Sequence, residues 1–100
     1  MLDKLAQIET LYEEIEQKLC DPDIISRRDE FLKLSRERAD MEELVAAFRR
    51  YKQTQEDIKE YKDILQGDDS ELKELAEIEL PELQKKKTNQ EKEIQLLLLP

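Results

Sequence analysis

Apolar residues near the start of the chain recur at spacings of three and four. They are Leu5, Ile8, Leu11 or Tyr12, Ile15 and Leu19. This spacing places them on one face of an α-helix, and the glutamates between them lie off that face. Asp21-Pro22 ends the pattern because the residue before a proline is disfavoured in the α region. The pattern therefore predicts a first helix over about residues 2–20.

A short linker follows, and its residues favour single helical turns. Asp21 is suited to cap such a turn, with Pro22 at its first position. Ile24 and Ile25 are adjacent, and we expect both to fold back onto the core, since paired isoleucines are seldom left in water. We expect Cys20 to be a small packed apolar residue at the end of the first helix.

The second helix is predicted over about residues 27–66. Its apolar positions are Phe31, Leu34, Met41, Leu44, Val45, Phe48, Tyr51, Ile58, Tyr61, Ile64 and Leu65. A heptad count forward from Phe31 and one backward from Leu65 disagree between residues 44 and 51. This disagreement indicates a buried face that rotates along the helix, as expected for a helix that packs against two others.

The segment from Gln66 to Ser70 is the clearest break in the periodic pattern. Gly67 suits the left-handed position that follows many helices, and Asp68, Asp69 and Ser70 are all suitable N-caps. A tight turn here makes helices two and three antiparallel neighbours. The third helix is predicted over about residues 69–98, with a kink or a break near Pro81, because proline removes one backbone hydrogen bond.

These elements predict an all-α fold. We expect an elongated antiparallel bundle of three main helices, similar to a coiled coil, in one domain over residues 1–100. The composition agrees with an all-α fold, since one Gly and three Pro leave few residues for the tight turns of a sheet. A charged fraction of 43% beside a hydrophobic fraction of 38% is typical of helices with one buried stripe.

The net charge of −9 argues against a nucleic-acid clamp, because such binding depends on neutralising phosphates. The basic clusters are Arg27-Arg28, Arg49-Arg50 and Lys85-Lys86-Lys87. They are dispersed, so we interpret them as solvated helix faces with salt bridges. The run Leu96–Leu99 is too short to span a bilayer. A single cysteine fits a reducing compartment, which predicts a cytoplasmic protein.

The residue types of common active sites are scarce. The chain has no His, one Cys and one Gly. Cys20 therefore has no histidine to activate it and cannot complete a zinc site by itself, and a phosphate-binding glycine loop is excluded. The sequence predicts no catalytic residue, no cofactor and no metal site.

Four stretches together resemble a known family. They are Leu19-Cys20-Asp21-Pro22-Asp23-Ile24-Ile25-Ser26, Phe31-Leu32-Lys33-Leu34-Ser35-Arg36-Glu37-Arg38-Ala39, the series Met41, Val45, Phe48 and Tyr51, and Glu93-Ile94-Gln95-Leu96-Leu97-Leu98-Leu99-Pro100. In order and spacing they are similar to the N-terminal domain of bacterial class-I peptide chain release factors. The closing leucines and proline most resemble the type that reads UAA and UAG.

The resemblance implies translation termination by a longer protein. In this family a Pro-x-Thr tripeptide reads the stop codon and a Gly-Gly-Gln loop drives hydrolysis of peptidyl-tRNA. Neither motif occurs among these residues, so no functional residue is carried over. The resemblance implies three partners for the helical domain: the GTPase-associated region of the large ribosomal subunit, the class-II release factor GTPase, and the methyltransferase that modifies the catalytic glutamine. An acidic chain favours protein partners over ribosomal RNA.

Two hypotheses follow, a docking domain of a release factor and a self-associating coiled-coil scaffold. The scaffold predicts a dimer, for which Leu96–Leu99 is a candidate contact, whereas the heptad shift and the turn at Gly67 favour folding within one chain. For docking, the candidate partner-binding residues lie at the predicted hairpin tip. They are Gly67, Asp68, Asp69, Ser70 and Glu71.

Overall fold

The computed structural model describes residues 2–100 and contains three α-helices. Helix α1 spans Leu2–Leu19, α2 spans Arg28–Leu65 and α3 spans Ser70–Leu97, with a short 3₁₀ helix at Ile24–Ser26. No strand occurs among the residues described. The predicted all-α fold with three main helices is confirmed. Helix α1 begins at the predicted residue, and the other five helix ends differ from the predicted ones by one residue each.

The chain divides into two compact units, one ending at Ala46 and the other running Ala47–Pro100. Helix α2 contributes its first part to one unit and its second part to the other. The prediction of a single domain over the whole chain stays a prediction.

The first unit has a small apolar cluster built on Ile15, Ile24 and Leu34. Leu19, Phe31 and Met41 pack against this cluster. Tyr12 is buried on the same helix as Ile15, whereas Leu11 is exposed, which settles the choice that the periodicity left open. The prediction for the linker is half wrong: Ile24 is buried, but Ile25 is 76% exposed. The 3₁₀ turn is too short to bury two successive side chains on the same face.

Arg38 joins α1 to α2 within this unit. Its guanidinium donates to Glu16 Oε2 at 3.1 Å and lies over the Tyr12 ring, 5.2 Å from the centroid. The hydrogen bond to Glu16 is the main cause of a raised pKa for Arg38. Cys20, at the end of α1, is exposed, so the expectation of a packed thiol is wrong. Cys20 follows the last residue of α1, so the spacing that buries residues of that helix does not extend to it.

In the second unit, α2 and α3 are antiparallel. Two polar contacts tie them together: the Tyr51 hydroxyl donates to Glu91 Oε2 at 2.9 Å, and Arg50 donates to Glu93 Oε1 at 3.0 Å. Further along α2, Lys62 shares a groove with Lys87 of α3, so residue numbers fall on α3 as they rise on α2. The prediction of antiparallel neighbours joined by a tight turn therefore agrees with these contacts.

Helix α3 passes through Pro81 without a break. Of the two predicted alternatives, a kink or a break near Pro81, the break is excluded, because the helix continues from Ser70 to Leu97. Pro81 has no N–H for the carbonyl of Glu77, but its side chain is exposed, so water can satisfy that carbonyl. The buried side chains of α3 are Ala76, Gln90 and Ile94.

We predict that Pro81→Ala stabilises the chain by about 2 kcal/mol. Alanine exceeds proline in helix propensity by about 3 kcal/mol, and the greater freedom of the unfolded chain offsets up to about 1 kcal/mol. Urea unfolding followed by circular dichroism measures the change. The matched control is Glu82→Ala at the next exposed position, for which we expect about 0.5 kcal/mol or less. An unfolding midpoint unchanged by Pro81→Ala would contradict the prediction.

We also predict that the free energy of unfolding depends on pH through Tyr51. Burial, and then the hydrogen bond to Glu91, raise the pKa of Tyr51 above its ordinary value of 10.0. The folded state therefore favours the neutral phenol, so stability is complete below about pH 10 and is lost as pH rises through the folded-state pKa. Tyr51→Phe should cost about 1 kcal/mol near neutral pH and should flatten the loss above about pH 10.

Free energies of unfolding measured at intervals between about pH 8 and about pH 11 test this dependence. Tyr61→Phe, at a half-buried tyrosine of the same helix, is the matched control. An equal loss of stability at alkaline pH in wild type and Tyr51→Phe would show that Tyr51 does not carry the effect.

Candidate partner-binding site

The five predicted site residues lie at the exposed connection between α2 and α3. Gly67 and Asp68 belong to the turn itself, Asp69 precedes α3, and Ser70 and Glu71 open that helix. All five are exposed. The structure thus brings them together on one accessible tip, as their proximity along the chain requires. It does not test whether a partner binds there.

Gly67 differs from the sequence expectation in its backbone. It does not adopt a positive φ, so the left-handed conformation predicted for it is wrong. Instead, α2 ends by tightening: the N–H of Gln66 donates to Asp63 O and the N–H of Gly67 donates to Ile64 O, both at 3.0 Å. These contacts span three residues and satisfy carbonyls at the helix end without the special backbone conformation of glycine.

Asp69 is the N-cap of α3. Its backbone is extended, with φ −79° and ψ 107°, and its Oδ1 accepts a hydrogen bond from the N–H of Leu72 at 3.1 Å. This geometry satisfies one of the N–H groups left unpaired at the start of a helix. Of the three candidate caps that the sequence offered, the structure selects the second. Asp69 therefore has a structural role, and Asp68 and Glu71 present exposed carboxylates on either side of it.

The charge of the tip is uniformly negative. Asp68, Asp69 and Glu71 supply three carboxylates within four residues, with no basic residue among them. Carboxylates near a helix N-terminus are stabilised by the helix dipole, so their presence costs little here. Such a surface repels phosphates and attracts Lys and Arg side chains. It can steer a basic protein surface toward this end of the hairpin.

Sequence reasoning missed a neighbouring feature on α3. Leu72, Leu75 and Ile78 recur at helical spacing, as core residues do, but Leu72 and Leu75 are each 44% exposed and Ile78 is 67% exposed. Ala76, by contrast, is completely buried. A signal was available: Ile78 lies two residues from Ala76, or about 200° around the helix, so both cannot face the same neighbour.

Two of the three basic clusters carry a salt bridge, as was expected of them. Arg27 pairs with Glu30 at 3.7 Å, and Arg50 pairs with Glu93 at 3.0 Å. Arg50, Lys85 and Lys86 also line a shallow groove, but Glu82 and Glu93 line the same groove. Its mixed charge does not resemble a track for a phosphate backbone.

Two further classes of site find no support in the geometry. Across residues 2–100, no three His, Cys, Asp or Glu side chains group closely enough to hold a metal ion. No stretch of helix in the described chain combines the length and the apolar character that crossing a bilayer requires.

Comparison with known proteins gives one consistent result. The PCRF domain model matches residues 8–100. Peptide chain release factor 1 of Pelobacter propionicus is 47% identical to this chain over 100 residues, and that of Syntrophus aciditrophicus is 41% identical over 100 residues. The protein of the same name from Clostridium botulinum (strain Eklund 17B) is 44% identical over 101 residues. No solved structure matches the chain.

The matches cover the chain completely but its relatives only in part. Each of these three alignments spans 100% of this chain and 28% of the relative. The chain therefore corresponds to somewhat more than a quarter of the length of each relative.

The cap geometry predicts unequal effects for two adjacent aspartates. Asp69→Ala should destabilise the chain by about 1 kcal/mol because Leu72 N–H loses its acceptor. Asp68→Ala should change stability by about 0.5 kcal/mol or less, and Asp69→Asn should retain the cap, since asparagine is an equally good N-cap. Urea unfolding of the three variants measures these differences. Equal losses for Asp68→Ala and Asp69→Ala would contradict the assignment.

Proposed function

Since the chain belongs to the bacterial peptide chain release factor family, we propose that it is the docking domain of a translation termination factor. In this proposal the domain positions the parts of the protein that read the stop codon and promote hydrolysis of peptidyl-tRNA on the ribosome. The domain itself contributes no catalytic residue. The function is carried out in the cytoplasm, where translation takes place.

The observation that carries the docking role is the exposed acidic tip at the end of two paired helices. Two antiparallel helices, joined by the Tyr51–Glu91 and Arg50–Glu93 contacts, present Asp68, Asp69 and Glu71 at their end. The capped start of α3 fixes the backbone there. A fixed acidic surface suits recognition of a basic protein, because like charges exclude nucleic acid and opposite charges speed association.

The proposed partners are proteins at or near the ribosome. They are a protein of the GTPase-associated region of the large subunit, the class-II release factor GTPase, and the methyltransferase that modifies the catalytic glutamine. Ribosomal RNA is not the proposed contact, because the net charge of −9 opposes it.

Binding to purified ribosomes tests the proposal. The 100-residue chain is titrated against ribosomes at low salt, and the bound fraction is measured by co-sedimentation. A variant carrying Asp68→Asn, Asp69→Asn and Glu71→Gln neutralises the tip but retains an N-cap. We expect it to bind about tenfold more weakly, because electrostatic attraction is lost at the contact.

The matched control removes three charges elsewhere. It carries Glu43→Gln, Glu56→Gln and Glu60→Gln at exposed positions of α2, so its net charge equals that of the tip variant. We expect less than about a twofold effect from this control, since charges away from the contact act only over a Debye length. Absence of wild-type binding at low salt would contradict the docking role. Equal weakening in both variants would contradict the tip as its site.

Sedimentation of the chain alone decides the alternative of a self-associating scaffold. That alternative requires a stable dimer, with the exposed Leu96 and Leu99 as a candidate contact. The docking proposal requires a monomer at the concentrations used for the ribosome titration. A dimer that persists in the double variant Leu96→Gln, Leu99→Gln would exclude the leucine contact as its cause.

A further inference from the structure

A ridge of three apolar side chains runs along the first half of α3. Leu72, Leu75 and Ile78 follow one another at intervals of three residues, so their side chains are neighbours on the helix surface. They are 44%, 44% and 67% exposed, respectively. Single exposed leucines are ordinary on protein surfaces, but adjoining ones form a patch that marks an interaction surface.

Leu75 and Ile78 lie off the buried face of α3. Ala76 and Ile94 have no exposed surface and mark the side of α3 that is packed. Leu75 lies one residue from Ala76, or about 100° around the helix, and Ile78 lies nearly opposite. Leu72 is nearer the packed side. The ridge therefore turns away from the core along its length, and Ile78 is its most exposed residue.

Carboxylates border the ridge on both sides. Glu71 and Glu79 are four residues from Leu75, and Glu74 and Glu82 are four residues from Ile78. Residues at this spacing are adjacent on a helix. From Asp68 to Glu82 the chain has seven carboxylates and one basic residue, Lys73. An apolar strip with such a border is complementary to apolar residues flanked by Lys or Arg.

We propose that this ridge binds a cationic amphipathic helix of a protein partner. The inference rests on the proposed docking function and names the chemistry of the partner at the end of the hairpin. A partner helix with apolar residues three and four apart packs its row against the ridge, and its Lys and Arg side chains reach Glu71, Glu74, Glu79 and Glu82. The same carboxylates repel nucleic acid and anionic lipid surfaces.

The first unit provides a matched comparison. Leu32 on α2 is 46% exposed, close to the value for Leu75, but its neighbours along a shallow groove are of both signs. They include Lys33 and Arg36 as well as Asp29 and Asp40. Leu32 is as exposed as Leu75 but lacks a border of carboxylates alone. A substitution at Leu32 therefore tests whether any exposed leucine contributes to binding, or only those of the ridge.

A synthetic peptide tests the proposal directly. The probe is a helical peptide of about 18 residues, or about five turns, with Leu three and four apart and Lys at the flanking positions. A peptide of the same composition in scrambled order has no apolar face. Each is titrated into the 100-residue chain, and the amide chemical shifts of residues 71–82 are followed by NMR.

The double variant Leu75→Gln, Ile78→Gln replaces two of the three ridge residues at exposed positions where glutamine is compatible with a helix. We expect the amphipathic peptide to shift residues 71–82 and its Kd to rise about tenfold in this variant. Leu32→Gln should leave the Kd unchanged within about twofold. Replacing Glu71, Glu74, Glu79 and Glu82 by Gln should weaken binding about tenfold at low salt and remove most of its salt dependence.

Two results would overturn the inference: equal binding of the scrambled peptide, which would indicate charge attraction alone, or an unchanged Kd in the double ridge variant. The ribosome titration separates this failure from failure of the docking function. If wild type and the double ridge variant bind ribosomes equally, docking stands and the ridge is not its contact. If wild type does not bind ribosomes, the docking function fails whatever the peptide does.

Discussion

The buried hydroxyl of Tyr51 sets the register between α2 and α3. Two helices with narrow apolar stripes can slide along one another at small cost, because one aliphatic contact replaces another. A buried phenol is different, since its O–H needs an acceptor at a specific position. Glu91 supplies that acceptor at 2.9 Å, and a shift of α3 by one turn, about 5.4 Å, would separate them. The position of the hairpin tip, and hence of every proposed contact, depends on this register.

Much of the fold was predictable because helix periodicity and breaker residues are local signals. The spacing of apolar residues located three helices, and Asp21-Pro22 and the Gly67 turn located their ends. The predictions that were wrong concerned residues whose environment depends on packing between elements. The sequence could not show that Ile25 is left in water by a single 3₁₀ turn, or that α3 continues through Pro81. Gly67 suggested a left-handed backbone, but the N–H groups of Gln66 and Gly67 close the helix by contacts that span three residues.

The position of the candidate site was predictable from the sequence, but the roles of its residues were not. A turn between two long helices had to be exposed, and the acidic residues there were evident from the sequence. The sequence did not show that Asp69 is committed to capping α3, whereas Asp68 and Glu71 are available for contact. Nor did it distinguish the apolar residues of α3 that pack from those that form the ridge, because both sets occur at helical spacings. The complete burial of Ala76 and Ile94 identifies which side of α3 faces the core.

The exposed thiol of Cys20 has a practical consequence for solution studies of this chain. It is the only cysteine, so no internal disulfide can protect it, and two molecules can join covalently whenever the solution is oxidising. Such a crosslinked pair would sediment as a dimer although no noncovalent interface held it. The same isolated thiol offers one chemically unique point, just after the last turn of α1, for attaching a spin label or a fluorophore without any substitution in the chain.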